Sequence, residues 1–183
     1  MSLTDQYKQL HEDKNLFAGT TIGLHKQSIR QGLELSQSKT ILDYGCGKGD
    51  QYFKENTHTE YFFGIMPFLY DPGVDKFSTL PPQQFDAVIS TDVLEHIEEQ
   101  DLDNVLREIF SKSTKFVYLG ICNSPAIAIL PDGRNAHVTQ KSFDWWLDKI
   151  IKHSSVLTMV YVYGSSGGKA MIDNGVIKYK KIR

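Results

Sequence analysis

Residues 40–50 read Thr-Ile-Leu-Asp-Tyr-Gly-Cys-Gly-Lys-Gly-Asp. The apolar run at the start is typical of a short buried strand, and the three alternating glycines indicate a tight turn into a helix. A dinucleotide fingerprint, GxGxxG, would need a glycine where Asp50 stands, and a phosphate loop would need Ser or Thr where Gly49 follows Lys48. Both motifs are therefore excluded, and what remains is an acid just before a GxGxG turn.

The rest of the chain alternates between strand-like and helix-like patterns. Apolar or β-branched runs predict strands at 67–71, 85–90, 115–121 and 155–163, and helical spacing predicts helices at 101–111 and from Phe143 to Ile151. This alternation predicts an α/β fold in three layers, with a doubly wound, mostly parallel sheet between helices. A glycine turn at 164–168 separates the last two strand-rich segments, which we expect to pair antiparallel, followed by a small basic tail at 178–183.

The length of 183 residues predicts a single domain over residues 1–183. Two helices within residues 4–36, broken at Gly19 and Gly23, are expected to precede the sheet. Residues 1–38 are then a helical lead-in or lid, and residues 39–183 form the core. The lid hypothesis depends on three side chains that would close over a ligand or, alternatively, pack against the sheet: Tyr7, His11 and Phe17.

Composition argues against several classes of protein. Lys and Arg number 20 against 22 Asp and Glu, and a net charge of -2 does not suit a DNA-binding protein. RNA is disfavoured on the same ground without being excluded. Cys46 and Cys122 lack CxxC spacing, so neither a disulfide framework nor a structural zinc site is indicated. The polar amino terminus has no secretory signal and the apolar stretch 61–70 is too short to cross a bilayer, so we expect a cytoplasmic protein without membrane partners.

Two motifs resemble the class I S-adenosylmethionine-dependent methyltransferases. Residues 41–49 are similar to their first motif, and residues 85–96, Phe-Asp-Ala-Val-Ile-Ser-Thr-Asp-Val-Leu-Glu-His, are similar to their fourth strand and the turn after it. The likeness covers residues 38–163 and points to the Leu-Glu-His subgroup that includes small-molecule O-methyltransferases. It implies a seven-stranded, Rossmann-like sheet with a last antiparallel strand, a methyltransferase activity (EC 2.1.1.-), and a methyl donor bound over the glycine turn.

The donor's chemistry assigns roles to individual residues. An acid beside the glycine turn, Asp43, can hold the ammonium of the donor's methionine end directly or through water. A carboxylate at the next strand end, Asp71, can accept from the two ribose hydroxyls. The predicted donor-binding set is Asp43, Gly45, Cys46, Gly47, Gly49, Asp71, Thr91 and Asp92.

The chain departs from the family between its second and third predicted strands. Asp86 lies 15 positions after Asp71, too few for the usual crossover of helix, strand and loop. We therefore expect the family's third-strand region to be trimmed. Adenine contacts often come from that region, and the predicted substitutes are Phe77, Leu80 and Pro81.

A second cluster follows the third predicted strand. Asp92, Glu95 and His96 stand at i, i+3 and i+4, and share one face if a helix begins there. With His137 they are similar to the metal-binding pattern of ubiquinone-pathway O-methyltransferases and small-RNA ribose methyltransferases, although Asp92 stands where those families have glutamate. One hypothesis is a divalent cation held by Asp92, Glu95, His96 and His137. Without a metal, Glu95 caps the turn and His96 packs under the loop, or His96 or His137 acts as general base.

These features predict methyl transfer from S-adenosylmethionine to a small-molecule acceptor, with oxygen favoured because the cluster offers a base or a metal. The predicted catalytic residues are Glu95, His96 and His137. The alternative enzyme hypothesis is an RNA ribose O-methyltransferase, suggested by the same cluster and by the basic tail. A third hypothesis is a non-catalytic protein that binds the donor or its product and acts as a partner subunit.

Overall fold

Seven strands form one sheet in the computed structural model, which describes residues 1–13, 16–54 and 62–182. The spatial order is β2-β1-β3-β4-β5-β6-β7. The first five strands in this order pair in parallel, and β6 and β7 continue the sheet antiparallel. The strand bounds are β1 Ile41–Tyr44, β2 Phe68–Tyr70, β3 Phe85–Thr91, β4 Ser113–Asn123, β5 Leu157–Gly164, β6 Gly168–Asp173 and β7 Val176–Ile182.

Five α-helices accompany the sheet in the part of the chain that the structure describes: α1 Leu3–His11, α2 Lys26–Ser36, α3 Asp50–Phe53, α4 Leu102–Ser111 and α5 Phe143–Ile151. Three 3-10 turns complete the regular structure, at Thr21–Leu24, Asp75–Phe77 and Leu94–His96. No helix of the described residues is both long and apolar enough to span a bilayer.

Helices cover both faces of the sheet, and the side chains of its central strands alternate between two apolar cores. On one face, Ile29 and Leu33 of α2 pack with Phe116 and Tyr118 of β4. On the other face, the intervening residues of β4, Val117, Leu119 and Ile121, pack with α4 and α5. The predicted three-layer α/β fold with a mostly parallel sheet is confirmed.

The short connection between β2 and β3 confirms the trimmed third-strand region. Residues 71–84 contain one 3-10 turn, Asp75–Phe77, and no strand. The sheet still reaches seven strands because a hairpin, β6 and β7, extends its other edge.

The prediction of a basic tail at 178–183 is wrong for residues 178–182, because these residues belong to β7. Arg183 lies outside the described residues. Asn174 and Gly175 both have positive φ, 45° and 73°, and an Asn-Gly pair of this kind makes the tight turn of a hairpin. The chain therefore turns back and pairs with β6 from Val176 onward. The edge strand is exposed along its whole length, so its sequence shows no alternation of buried and exposed residues.

Gly32 marks a close contact between α2 and the sheet. A Cβ built on it would lie 1.9 Å from Cζ of Phe116, whose ring is fully buried. We expect Gly32→Ala to lower the free energy of unfolding by about 1–3 kcal/mol, because overpacking outweighs the roughly 1 kcal/mol that alanine gains in a helix. Urea denaturation of the variant and of a control, Gly23→Ala, measures the effect. A Cβ on Gly23 would meet no atom within 4 Å, so equal losses in the two variants would contradict the packing argument.

Candidate active site

The glycine turn lies at the carboxyl end of β1, beside the end of β2. Gly45 and Gly47 have positive φ, 88° and 56°, a conformation that side chains disfavour. A Cβ on Gly45 would lie 2.2 Å from Cγ2 of Val93, and one on Gly47 would lie 2.6 Å from the carbonyl oxygen of Phe17. The carbonyl of Tyr70 accepts from the N–H groups of both Gly45 and Cys46, at 2.7 and 3.1 Å. The turn is thus anchored to β2 and has no room for side chains at these glycines.

Asp71, just after β2, supports this turn. Its Oδ2 accepts from the N–H of Gly47 and its Oδ1 from the N–H of Gly73, both at 2.8 Å. The Nε2 atom of His11 lies 3.8 Å from Oδ1. The structure therefore places Asp71 beside the turn, as predicted for a donor-binding residue, with both oxygens already bonded to backbone.

Asp43 lies beneath the turn, 2 % exposed. Its Oδ2 accepts from the hydroxyl of Tyr52 at 2.6 Å and from Nε2 of Gln51 at 3.5 Å, so two side chains of α3 hold it. Burial raises the pKa of Asp43 to about 7, the Tyr52 hydrogen bond opposes this, and the nearby charge of Asp71 adds to it. Asp43 is thus an internal acid next to the turn.

Residues 16–19, which we call the strap, lie directly on the glycine turn. The carbonyls of Phe17, Ala18 and Gly19 accept from the backbone N–H groups of Lys48, Asp50 and Gln51, at 3.1, 3.0 and 3.1 Å. The side chain of Lys48 also donates to the carbonyls of Asp13 and Leu16. The first amides of α3, which would face a ligand in the predicted site, are bonded to the strap.

The predicted lid residues meet at the same edge of the sheet. The ring of Phe17 packs against the rings of Tyr7, His11 and His96, with centroids 5.9, 4.9 and 5.4 Å apart. The lead-in thus covers the turn and reaches the second cluster.

The remaining predicted donor contacts differ in how close they lie to the turn. Thr91 is buried at the end of β3, and Cys46 is buried within the turn, where burial raises the pKa of its thiol far above the ordinary value. Of the predicted adenine contacts, Phe77 lies 3.4 Å from a Cβ placed on Gly49. Leu80 packs on the core that contains α4, and the carbonyl of Pro81 accepts from the side chain of Lys112. Only Phe77 of this trio is brought to the glycine turn.

Asp92 does not begin a helix. It has a φ of 56°, and a 3-10 turn starts two residues later at Leu94. Its Oδ1 accepts from the hydroxyl of Tyr163 at 2.5 Å. The helical geometry that would put Asp92 on one face with Glu95 and His96 is therefore absent.

Glu95 is fully buried. Its Oε1 accepts from the N–H of Cys122 at 2.8 Å, and its Oε2 has no hydrogen-bond partner among the described residues. Burial raises the pKa of Glu95 well above its ordinary value, and the negative charge of Asp92 raises it further.

His96 is held in one tautomer. Its Nδ1 lies 2.9 Å from the carbonyl oxygen of Ala136, which can only accept, so Nδ1 carries the proton and Nε2 keeps its lone pair. The hydroxyl of Tyr7 donates to the same carbonyl at 2.5 Å. Burial, together with the nearby His137, whose ring centroid is 4.7 Å away, lowers the pKa of His96 to about 4. The imidazole is therefore neutral at physiological pH.

The ligand atoms that come together here differ from the predicted metal set. Glu95, Cys122 and His137 each present one atom within 4.8 Å of the other two, and this group contains neither Asp92 nor His96. Sequence reasoning missed Cys122 as a member of the cluster, because it has no neighbouring cysteine. The available signal was its position directly after the predicted strand at 115–121, at the sheet edge where Glu95 also lies.

A family model described as a methyltransferase domain matches residues 24–158, more than half of the chain. Searches of curated proteins and of solved structures gave no match. The edge described above fits the donor of this family: a turn without side chains, with buried carboxylates beneath and beside it, suits a ligand that carries an ammonium and a ribose. The chain therefore belongs to the methyltransferase-domain family, which implies S-adenosylmethionine as the methyl donor.

Proposed function

We propose that the protein transfers the methyl group of S-adenosylmethionine to a hydroxyl oxygen of a small-molecule acceptor. We choose oxygen as the acceptor atom because His96 is neutral and its Nε2 is free to accept the proton of a hydroxyl group. His96 also lies next to the strap that covers the donor turn. A net charge of -2 favours a small acceptor over a nucleic acid.

The donor supplies an electrophilic methyl group when bound. We assign its binding to the glycine turn, Asp71, Thr91 and Asp92, with Asp43 acting from beneath the turn. In this proposal these residues fix the position of the methyl group, so that the acceptor oxygen can approach it in line. The lead-in residues Tyr7 and Phe17 exclude water from the same edge.

His96 accepts the acceptor's hydroxyl proton in this proposal. A pKa of about 4 makes it a weak base, but it stays unprotonated at neutral pH. A weak base suffices because the oxygen becomes strongly acidic as the new carbon–oxygen bond forms, so the proton passes to Nε2 late in the step. Nδ1 keeps its hydrogen bond to Ala136 throughout.

Donor binding is tested by thermal unfolding with S-adenosylmethionine, its demethylated product, or NAD. At 100 times its dissociation constant, the donor or the product should add about 2.7 kcal/mol to the stability of the fold, and NAD should add nothing. Stabilisation by NAD alone, or by none of the three, would overturn the donor assignment.

The acceptor class is then tested with methyl-labelled donor, a panel of hydroxylated small molecules and transcribed RNA. Label in small molecules, lost in His96→Gln and retained in His153→Gln, supports the proposal. Label in RNA alone would favour the ribose methyltransferase, and donor binding without any transfer would favour the non-catalytic partner; either result contradicts the small acceptor. His153 is a matched control because it pairs with Asp103, at 2.9 Å, and not with any residue of the cluster.

A further inference from the structure

Three side chains of different chemistry converge at the carboxyl ends of β3 and β4. They are a carboxylate from the turn after β3, Glu95, a thiol from the end of β4, Cys122, and an imidazole from the loop that follows, His137. One ligand atom of each lies within 4.8 Å of the other two. Carboxylate oxygen, thiolate sulfur and imidazole nitrogen are the three ligand types that zinc takes from proteins.

The buried carboxylate of Glu95 has a hydrogen-bond partner for only one of its two oxygens among the described residues. The residue is fully buried, only Oε1 is bonded, and Oε2 has no hydrogen-bond partner among the described residues. A buried carboxylate without a compensating cation or donor is costly, and a metal ion supplies that compensation.

The imidazole of His137 is oriented as metal-binding histidines usually are. Its Nδ1 lies 2.5 Å from the carbonyl oxygen of Ser124, which can only accept, so Nδ1 is the protonated nitrogen. Nε2 is left with a free lone pair. A backbone carbonyl that fixes the tautomer in this way is a common outer partner of a metal-bound histidine.

We propose that Glu95, Cys122 and His137 form a binding site for a zinc-type divalent ion. Ligand atoms around tetrahedral zinc lie roughly 3.3–3.8 Å apart, so closing the present group around an ion requires shifts of about 1 Å. The sulfur ligand distinguishes the site from one for magnesium or calcium, which prefer oxygen ligands only.

Three protein ligands leave the fourth position of a tetrahedral ion open, which is the arrangement of catalytic rather than structural zinc sites. Cys122 and His137 are partly exposed, so an exchangeable ligand can reach that position. An acceptor oxygen bound there would lose its proton more easily. The role of the ion in removing the acceptor's proton rests on the proposed function, whereas the assignment of the three metal ligands does not.

Titration of the metal-free protein with Zn²⁺, in competition with a chromophoric chelator, tests the site without any methyl donor. We expect one ion per chain, unaffected by excess Mg²⁺, and a loss of affinity on the order of tenfold or more in Cys122→Ser and in His137→Gln. Cys46→Ser and His153→Gln should bind the ion as the unchanged protein does, since neither residue belongs to the group.

Co²⁺ substitution decides the question even if a variant fails to fold. The unchanged protein should show the sulfur-to-cobalt charge-transfer absorption of a thiolate ligand. Absence of that absorption, absence of Zn²⁺ binding, or equal binding by Cys122→Ser and the unchanged protein would each overturn the proposal. Donor stabilisation is measured separately, so failure of the metal site and failure of the donor assignment remain distinguishable.

Discussion

Asp71→Ala should weaken binding of the demethylated product by at least tenfold and lower the free energy of unfolding by about 3 kcal/mol or more. The carboxylate accepts two backbone N–H groups, from Gly47 and Gly73, and hydrogen bonds to a charged group contribute about 1.5–3 kcal/mol each. Removing it leaves both amides unpaired and takes away one of the contacts that fix the glycine turn, while the Tyr70 carbonyl still joins the turn to β2. Calorimetric titration with the product and urea denaturation measure the two effects.

Asp75→Ala is the matched control for this substitution. Asp75 lies four residues further along the chain, its side chain is 97 % exposed, and its contact with Lys8 is 4.0 Å long. Exposed ion pairs of this kind contribute little, so the control should keep both product affinity and stability. If Asp71→Ala behaves like Asp75→Ala, the carboxylate does not organise the turn.

Asp43→Asn should remove a pH dependence of stability that the unchanged protein shows between about pH 4 and pH 8. Burial raises the pKa of Asp43 from 3.8 to about 7 in the folded chain. Between these pH values the folded state holds a proton that the unfolded state has lost. The stability that this proton contributes to the folded state is therefore fully present below pH 4 and is lost as the pH rises through 7. The difference corresponds to roughly 4 kcal/mol.

Urea denaturation at several pH values, compared between Asp43→Asn and the unchanged protein, measures this contribution. The asparagine variant should gain relative stability as the pH rises. Comparing the two proteins is necessary because two histidines, the buried His25 and the half-buried His96, have pKa values of about 4 and contribute stability that is lost as the pH falls below 6.5. Asp75→Asn, with an exposed carboxyl, should follow the unchanged protein. A constant difference across the pH range would contradict a raised pKa of Asp43 in the folded chain.

The fold could be predicted because its determinants are local. The apolar run before the glycine turn and the helical spacing of later segments each report burial within a few residues of chain. The hairpin of β6 and β7 was not predicted from the sequence, although Asn174-Gly175 signals its turn. The lysines of β7 suggested a solvated tail instead. An exposed edge strand has no buried face to generate alternation.

The sequence indicated which residues lie near the candidate site better than it indicated which atoms they contact. Asp43 and Asp71 stand where the sequence indicated, but each is bonded to its own chain, since a buried carboxylate needs partners whether or not a ligand is bound. Sequence spacing grouped Asp92 with Glu95 on a helix that does not form. The association of Glu95 with Cys122 and His137 depends on how strand ends and a loop meet in space, which no local pattern encodes.

The strap over the glycine turn has a consequence for how tightly the donor binds. Three backbone amides, one in the glycine turn and two at the start of α3, already pair with carbonyls of residues 17–19, so a ligand that uses those amides must exchange one set of hydrogen bonds for another. Its observed dissociation constant is then the intrinsic constant divided by the fraction of molecules in which the strap is displaced. For a donor that uses these amides, affinity is thus a property of a conformational population, set partly by a segment that precedes the sheet.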